Sequence, residues 1–153
     1  IKARHAAACT GLPAIADDSG LCVDALGGRP GIHSARFAGP RATDRQNLDL
    51  LLAEIGRAGV VRPAARFHCA MAYVETADDP EPLIVEARWE GSIVAAPIGE
   101  NGFGYDPVFH VPTHGCTSAQ LPSEVKNRIS HRAQALRRLA STLQERFRRT
   151  VQQ

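Results

Sequence analysis

Ile15-Ala16-Asp17-Asp18-Ser19-Gly20-Leu21-Cys22-Val23 is an apolar run interrupted by two carboxylates, a hydroxyl and a glycine, then resumed. Charged groups between β-forming runs are costly inside a core unless paired or metal-bound. The stretch therefore reads as two short strands, Leu12 to Ala16 and Leu21 to Ala25, joined by a turn over Asp17 to Gly20 that forms a functional tip. On extended backbone, neighbouring side chains leave to opposite sides, so Asp17 and Asp18 do not serve one site symmetrically. One faces the site while the other engages backbone amides or a basic side chain. A carboxylate beside Ser19 suits a hard cation such as Mg²⁺, held through one or two carboxylates plus substrate phosphates. The plainer alternative is an Asx-turn without chemistry.

Outward from this stretch the chain alternates helix and strand signals. Upstream, Ile1 to Gly11 reads as the second half of a helix closed by a glycine, and its uncapped beginning points to residues before Ile1. Downstream, Thr43-Asp44-Arg45-Gln46 has the form of a capping box, and Leu48, Leu51, Leu52 and Ile55 follow at helical spacing, ending before Gly56. From Ala65 the period becomes two: Phe67, Cys69, Met71 and Tyr73 alternate with more polar or smaller residues. Leu83, Val85, Ala87 and Trp89 repeat the pattern beyond an Asp78-to-Pro82 turn, which together predict a long antiparallel hairpin. Pro97 to Pro107 is a glycine-rich loop, Val108 to Val111 a short strand, Thr117 to Gln120 a capped turn, and Pro122 to Arg128 a brief helix. Ser130 caps a last helix with an apolar stripe of Ala133, Leu136, Ala140, Leu143 and Phe147.

The 153 residues, 44% hydrophobic and 22% charged, suit one domain over 1–153 with a sizeable core. The net charge of +2 is too small to argue nucleic-acid binding. The arginines Arg137, Arg138, Arg146, Arg148 and Arg149 read as a solvated helix face. No apolar run reaches membrane-spanning length and nothing resembles a signal peptide, so a cytoplasmic protein without membrane or nucleic-acid partners is expected. Cys9, Cys22, Cys69 and Cys116 lack zinc-type spacing and read as free thiols. No P-loop, dinucleotide fingerprint or supported Ser/His/Asp pattern is present.

Two further stretches carry chemistry. Ser130-His131-Arg132 opens the last helix, where free amides and the positive dipole end favour an anion or a carbonyl oxygen, and Lys126 stands a few residues upstream. In Gly102-Phe103-Gly104-Tyr105-Asp106-Pro107 the glycines allow close backbone approach, an aromatic ring can stack on a base, and Asp106 can accept from a ring N–H. The alternative is that Phe103 and Tyr105 plug the core. Lys2 reaches a phosphate or is solvated.

Lys2-Ala3-Arg4, Ala16 to Leu21, Pro30 to Arg36, Gly102 to Pro107 and Ile129 to Arg132, in this order, resemble the inosine triphosphate pyrophosphatases, also called XTP/dITP diphosphatases. The resemblance runs essentially end to end. It implies an α/β fold, elongated and two-lobed, with a mixed sheet, flanking helices and a nucleotide cleft between the lobes, usually as a homodimer. It also implies Mg²⁺-dependent cleavage of ITP, dITP or XTP between the α and β phosphates. By the same resemblance Asp18 is the catalytic carboxylate and metal ligand, and Ser19 and Lys2 are phosphate-side contacts. Phe103, Gly104, Tyr105 and Asp106 form the base loop, and Lys126, His131 and Arg132 read the purine. Such donors suit a 6-oxo group, whereas adenine's 6-amino donor would leave them unpaired. The family's opening strand, its phosphate-holding Thr/Ser-Gly-Asn segment with a lysine, and a metal-binding Glu before the helix of Lys2 have no counterpart here. The chain is therefore expected to be part of a longer one, and the alternative reading is a catalytically silent nucleotide-binding or dimerisation fragment.

Overall fold

A computed structural model describes residues 1–151. The elements are α1 (Lys2–Thr10), β1 (Ala14–Val23), β2 (Pro30–Gly31), α2 (Asp44–Ala58), β3 (Ala64–Val74), β4 (Leu83–Ile93), β5 (Phe109–Val111), β6 (Cys116–Thr117), α3 (Ser123–Ile129) and α4 (His131–Val151). The strands form one six-stranded sheet in the order β2-β1-β3-β4-β5-β6. The α/β expectation holds, and among the described residues every pairing is antiparallel rather than mixed.

The opening stretch corrects the sequence reading. Asp17 to Gly20 is not a turn between two strands but the middle of the ten-residue strand β1, paired without a break to β3, with Asp17 opposite Met71 and Asp18 opposite Ala70. The carboxylates do not force the chain to turn because neither is driven into a core. The Asp18 side chain is 62% exposed and that of Asp17 35%, and each meets a cation on its own face of the sheet. Gly20 serves close packing here, since a Cβ would overlap the carbonyl oxygen of Gly31 on the crossing segment. β2 pairs with β1 only at Leu21 and Cys22. Among the described residues the edge of β1 from Ala14 to Gly20 therefore has no other strand beside it.

The period-two stretch folds as its alternation requires. Phe67, Cys69, Met71 and Tyr73 are buried and their neighbours are less so, and β4 follows the same pattern. One face of the β3–β4 hairpin serves two hydrophobic clusters in succession. Phe67 and Trp89 join Leu21, Leu51, Phe109 and Leu121 beneath α2, whereas Cys69, Met71, Tyr73 and Ala87 receive Ala135 and Leu139 of α4. On the opposite face Ala3 and Ala7 of α1 pack on Val74.

Helix ends follow their capping signals. Thr43 and Gln46 exchange both bonds of a capping box, with Gln46 N–H donating to Thr43 Oγ1 at 3.2 Å and Thr43 N–H to Gln46 Oε1 at 2.8 Å. α2 passes through Gly56 and closes at Gly59, whose φ of 67° is left-handed, four residues beyond Ile55, the last apolar repeat. Gly11, with φ 68°, ends α1 as expected.

The stripe assigned to α4 is displaced. Ala135 and Leu139 are the buried positions with Leu143 beside them, whereas Leu136 and Phe147 are 52% and 49% exposed and Ala140 is exposed. Docking starts from His131, whose ring packs into the sheet, so the buried row runs His131, Ala135, Leu139, Leu143 at four-residue steps. That row turns Leu136 to the lip of the cavity described below. All four cysteines are unpaired thiols. Among the described residues no helix is long and apolar enough to cross a membrane.

Candidate functional site

α1, β1, α3, α4, the start of α2 and the 101–106 loop converge on a cavity of about 700 Å³. It brings together every residue singled out from the sequence: Lys2, Asp18 and Ser19, then Phe103, Gly104, Tyr105 and Asp106, then Lys126, His131 and Arg132.

At one end Lys2, in the first turn of α1, donates to Asp18 Oδ1 at 2.7 Å and to the carbonyl oxygen of Asp17 at 3.3 Å. The pair is exposed, so its attraction is screened and adds little to stability. What it does is hold a cation and a carboxylate at one solvent-open rim. Asp17 leaves the strand on the other face, where Nε and Nη2 of Arg132 both reach its Oδ2 at 2.9 Å. Ser19 Oγ is enclosed and, among the described residues, has no partner of full hydrogen-bonding geometry; the Cys69 thiol stands opposite it on β3 and feels its hydroxyl. Burial raises the pKa of that thiol, with the neighbouring Asp17 and Asp18 adding to the effect, so Cys69 is a packing group and not a nucleophile.

The other end is built around Asp106, only 3% exposed. Its Oδ2 accepts from the Phe103 amide at 2.9 Å and from the Lys126 ammonium, and its Oδ1 accepts from Ser118 Oγ at 2.8 Å. The Lys126 ammonium lies 5.1 Å from the centroid of the Phe103 ring. Of the two rings in the loop, Phe103 is 64% exposed and available to a flat ligand. Tyr105 is 4% exposed and donates its hydroxyl to the Ser34 carbonyl at 2.8 Å, so it belongs to the core and offers the cavity only its edge of the wall. Burial, and then the charge of Asp44, push its phenol well above the usual range. Asp44 also accepts the Gly104 amide at 2.7 Å, tying the loop to the start of α2.

His131 closes the cavity floor. Its ring stacks on Phe67 at 4.8 Å and 11°, with Trp89 at 6.4 Å, and its Nδ1 is buried without a hydrogen-bond partner among the described residues. Desolvation, then the adjacent Arg132, hold its pKa down at about 4, against the raising influence of Asp106 and Asp17. The imidazole is therefore neutral near pH 7 and able both to donate and to accept.

Several contributors were not assigned to the site from the sequence. Asp44 reads there as part of a capping box, Ser118 as part of a turn, Ser34 as one residue of the Pro30-to-Arg36 motif without a role of its own, and Phe67 as the buried side of a strand. Each reaches the site through contacts between segments 12 to 71 residues apart, which no local spacing encodes. Among the described residues no group of three or more His, Cys, Asp and Glu side chains is arranged to hold a metal ion. Asp18 is the carboxylate at the open rim, and a cation there would draw its remaining ligands from water and from the bound anion.

Fold and cavity together define an α/β protein with a cleft lined by paired charges, hydroxyls and an exposed aromatic ring. The chain belongs to the Ham1 family, whose model matches residues 1–142. It is 54% identical over 143 residues to the dITP/XTP pyrophosphatase of Photorhabdus laumondii, covering 94% of this chain and 73% of that protein. With the dITP/XTP pyrophosphatase of Methylococcus capsulatus it shares 59% identity over 143 residues, 94% of this chain and 71% of the relative. A solved HAM1 protein from Coxiella burnetii superposes with a TM-score of 0.89 at 51% identity, covering 94% of this chain and 73% of that one. The order of motifs had pointed to this family, and the match confirms it.

Proposed function

We propose that the protein hydrolyses purine nucleoside triphosphates bearing hypoxanthine or xanthine, namely dITP, XTP and ITP, to the monophosphate and pyrophosphate. The observation that carries the reading is the make-up of the cavity lining. Lys2 and Asp18 stand paired at its open rim, Ser19 and the Arg132 guanidinium lie on the other face of β1, and the exposed Phe103 ring, the Lys126 ammonium and the neutral His131 imidazole complete the wall. The relatives named dITP/XTP pyrophosphatases support it.

Hydrolysis of a phosphoanhydride asks for charge neutralisation and a placed water more than for covalent chemistry. Lys2 supplies a positive charge to the phosphates, and the enclosed hydroxyl of Ser19 donates to a phosphate oxygen. The Asp18 oxygen not held by Lys2 accepts the proton of the attacking water. Asp18 is also the residue that would hold Mg²⁺, which when bound supplies neutralisation of the phosphate charge. At the far end the purine lies against Phe103 while Lys126, His131 and Arg132 meet the 6-oxo group. The working form is a homodimer in the cytoplasm, and sedimentation of the purified chain tests the dimer.

The deciding experiment measures pyrophosphate release and calorimetric binding for ITP, XTP, ATP and GTP, with and without Mg²⁺, on wild type and Asp18→Asn. Metal-dependent release that favours ITP and XTP and is lost in Asp18→Asn is expected. Binding without release in wild type assigns the chain to the silent nucleotide-binding class, and neither binding nor release refutes the reading.

A further inference from the structure

Asp106 is the most enclosed carboxylate in the cavity wall, and the structure shows what occupies it. Three donors from three segments meet on its two oxygens: the Phe103 amide from its own loop, Lys126 Nζ from α3, and Ser118 Oγ from the turn after β6. An ionised carboxylate has about four acceptor positions, so little of Asp106 is left for a ligand, and its side chain is only 4% exposed. Ser118 is fully buried and is not itself among the residues that line the cavity. Gly102, at φ 78°, leaves the space in which the cluster sits, because a Cβ there would overlap Asp106 Oδ2 and come within 2.9 Å of Lys126 Nζ.

We infer that Ser118 and Asp106 are positioning residues, which act on the base through Lys126 and Phe103 rather than by touching it. Resting on the proposed function, the inference assigns the preference for a 6-oxo purine to a relay: Ser118 orients the carboxylate, and the carboxylate holds the ammonium 5.1 Å from the centre of the Phe103 ring and pins the Phe103 amide. A ring seated on Phe103 then meets a fixed cationic donor at its edge. Without Ser118 the Oδ1 lone pairs lose their buried donor, the carboxylate is free to rotate, and the ammonium and the ring lose their common anchor.

The test compares Ser118→Ala with wild type in steady-state kinetics and in amide hydrogen exchange. In Ser118→Ala the KM for ITP rises about tenfold, the size expected when one hydrogen bond to a charged group is lost. The kcat stays within about twofold and the KM for ATP hardly changes, since adenine's 6-amino group cannot accept from Lys126. The Phe103 amide exchanges about tenfold faster, a readout that needs no nucleotide. Asp106→Asn, which cannot hold the ammonium as an ion pair, shows the same selective rise and serves if Ser118→Ala does not fold. An unchanged KM for ITP with an unchanged Phe103 exchange rate, in an enzyme that does turn over ITP, overturns the relay alone. An equal fall in kcat for every nucleotide also overturns it, because that is the mark of general loosening. If wild type neither binds nor hydrolyses ITP, the proposed function fails, and the exchange rate at Phe103 still decides whether Ser118 anchors the loop.

Discussion

His131 makes stability depend on pH by an amount that the structure sets. Its ring is 8% exposed, stacked on Phe67, and faced by Arg132 and Lys126 as well as by Asp106 and Asp17. Desolvation leads the balance and brings the pKa to about 4 from an ordinary 6.5. The folded value is depressed, so the unfolded chain takes up the proton first, and stability present above pH 6.5 is lost as pH falls toward 4. The full effect is about 3 kcal/mol, and at pH 5 roughly 2 kcal/mol has already gone. Urea unfolding of wild type and His131→Phe at pH 7.5 and pH 5 isolates it, since the other titrating groups are common to both. The wild-type loss between the two pH values should exceed that of the variant by about 2 kcal/mol. Imidazole proton shifts should show one histidine that stays neutral to about pH 5. An His131 titration near 6.5, or equal losses in the two proteins, would refute the buried neutral ring and with it the dual donor and acceptor role at the cavity floor.

Asp17→Asn removes the charge that holds Arg132; because both groups are partly exposed, the melting temperature should fall by only a degree or two, an effect under about 1 kcal/mol, while the KM for ITP rises severalfold in pyrophosphate-release kinetics. Gly20→Ala forces a methyl onto the Gly31 carbonyl, so calorimetry should show a loss of about 3 kcal/mol or more, or no folded protein. Leu139→Ala opens a hole in the cluster under α4 where the side chain is 1% exposed, and denaturant unfolding should report a loss of about 3 kcal/mol with the ITP:ATP preference retained.

What could be read from the residues was whatever is local and periodic. The hairpin of β3 and β4 announced itself because alternation over positions 66–73 and 83–90 has one solution, and the capping box and C-terminal glycines marked helix ends through fixed φ and hydrogen-bond needs. The reading failed where a local rule met a tertiary partner. Asp17 and Asp18 were read as a turn because two adjacent charges inside a strand look costly, but the cost vanishes once Lys2, sixteen positions from Asp18, and Arg132, 115 from Asp17, arrive on the two faces. On α4, Leu136 and Phe147 fit a helical stripe as well as Ala135 and Leu139 do, and only the seat of His131 on Phe67 selects the row. The Ser118 bond to Asp106 joins a loop already singled out for its chemistry to a stretch that reads only as a capped turn.

The strand geometry of Asp17 and Asp18 also explains how two unlike ends of one cavity are kept in register. Successive residues of β1 point to opposite faces of the sheet, so Asp18 meets Lys2 of α1 on one face and Asp17 meets Arg132 of α4 on the other. A turn would have let the two carboxylates move independently. A strand locked residue by residue to β3 does not, and the spacing of its successive Cα atoms, about 3.8 Å, is set by covalent geometry. Lys2, assigned to the phosphates in the proposed function, and Arg132, assigned there to the base, are thereby referred to adjacent positions on one rigid backbone. The ring-bearing loop lacks that reference, because Gly102 and Gly104 give it φ values of 78° and 61° that a strand cannot supply. It is fixed instead by side chains: Asp44 on the Gly104 amide, Tyr105 on Ser34, and Asp106 with its three donors. Substitutions on β1 should therefore move both ends of the cavity together, and substitutions in the Asp106 cluster only the end that reads the ring.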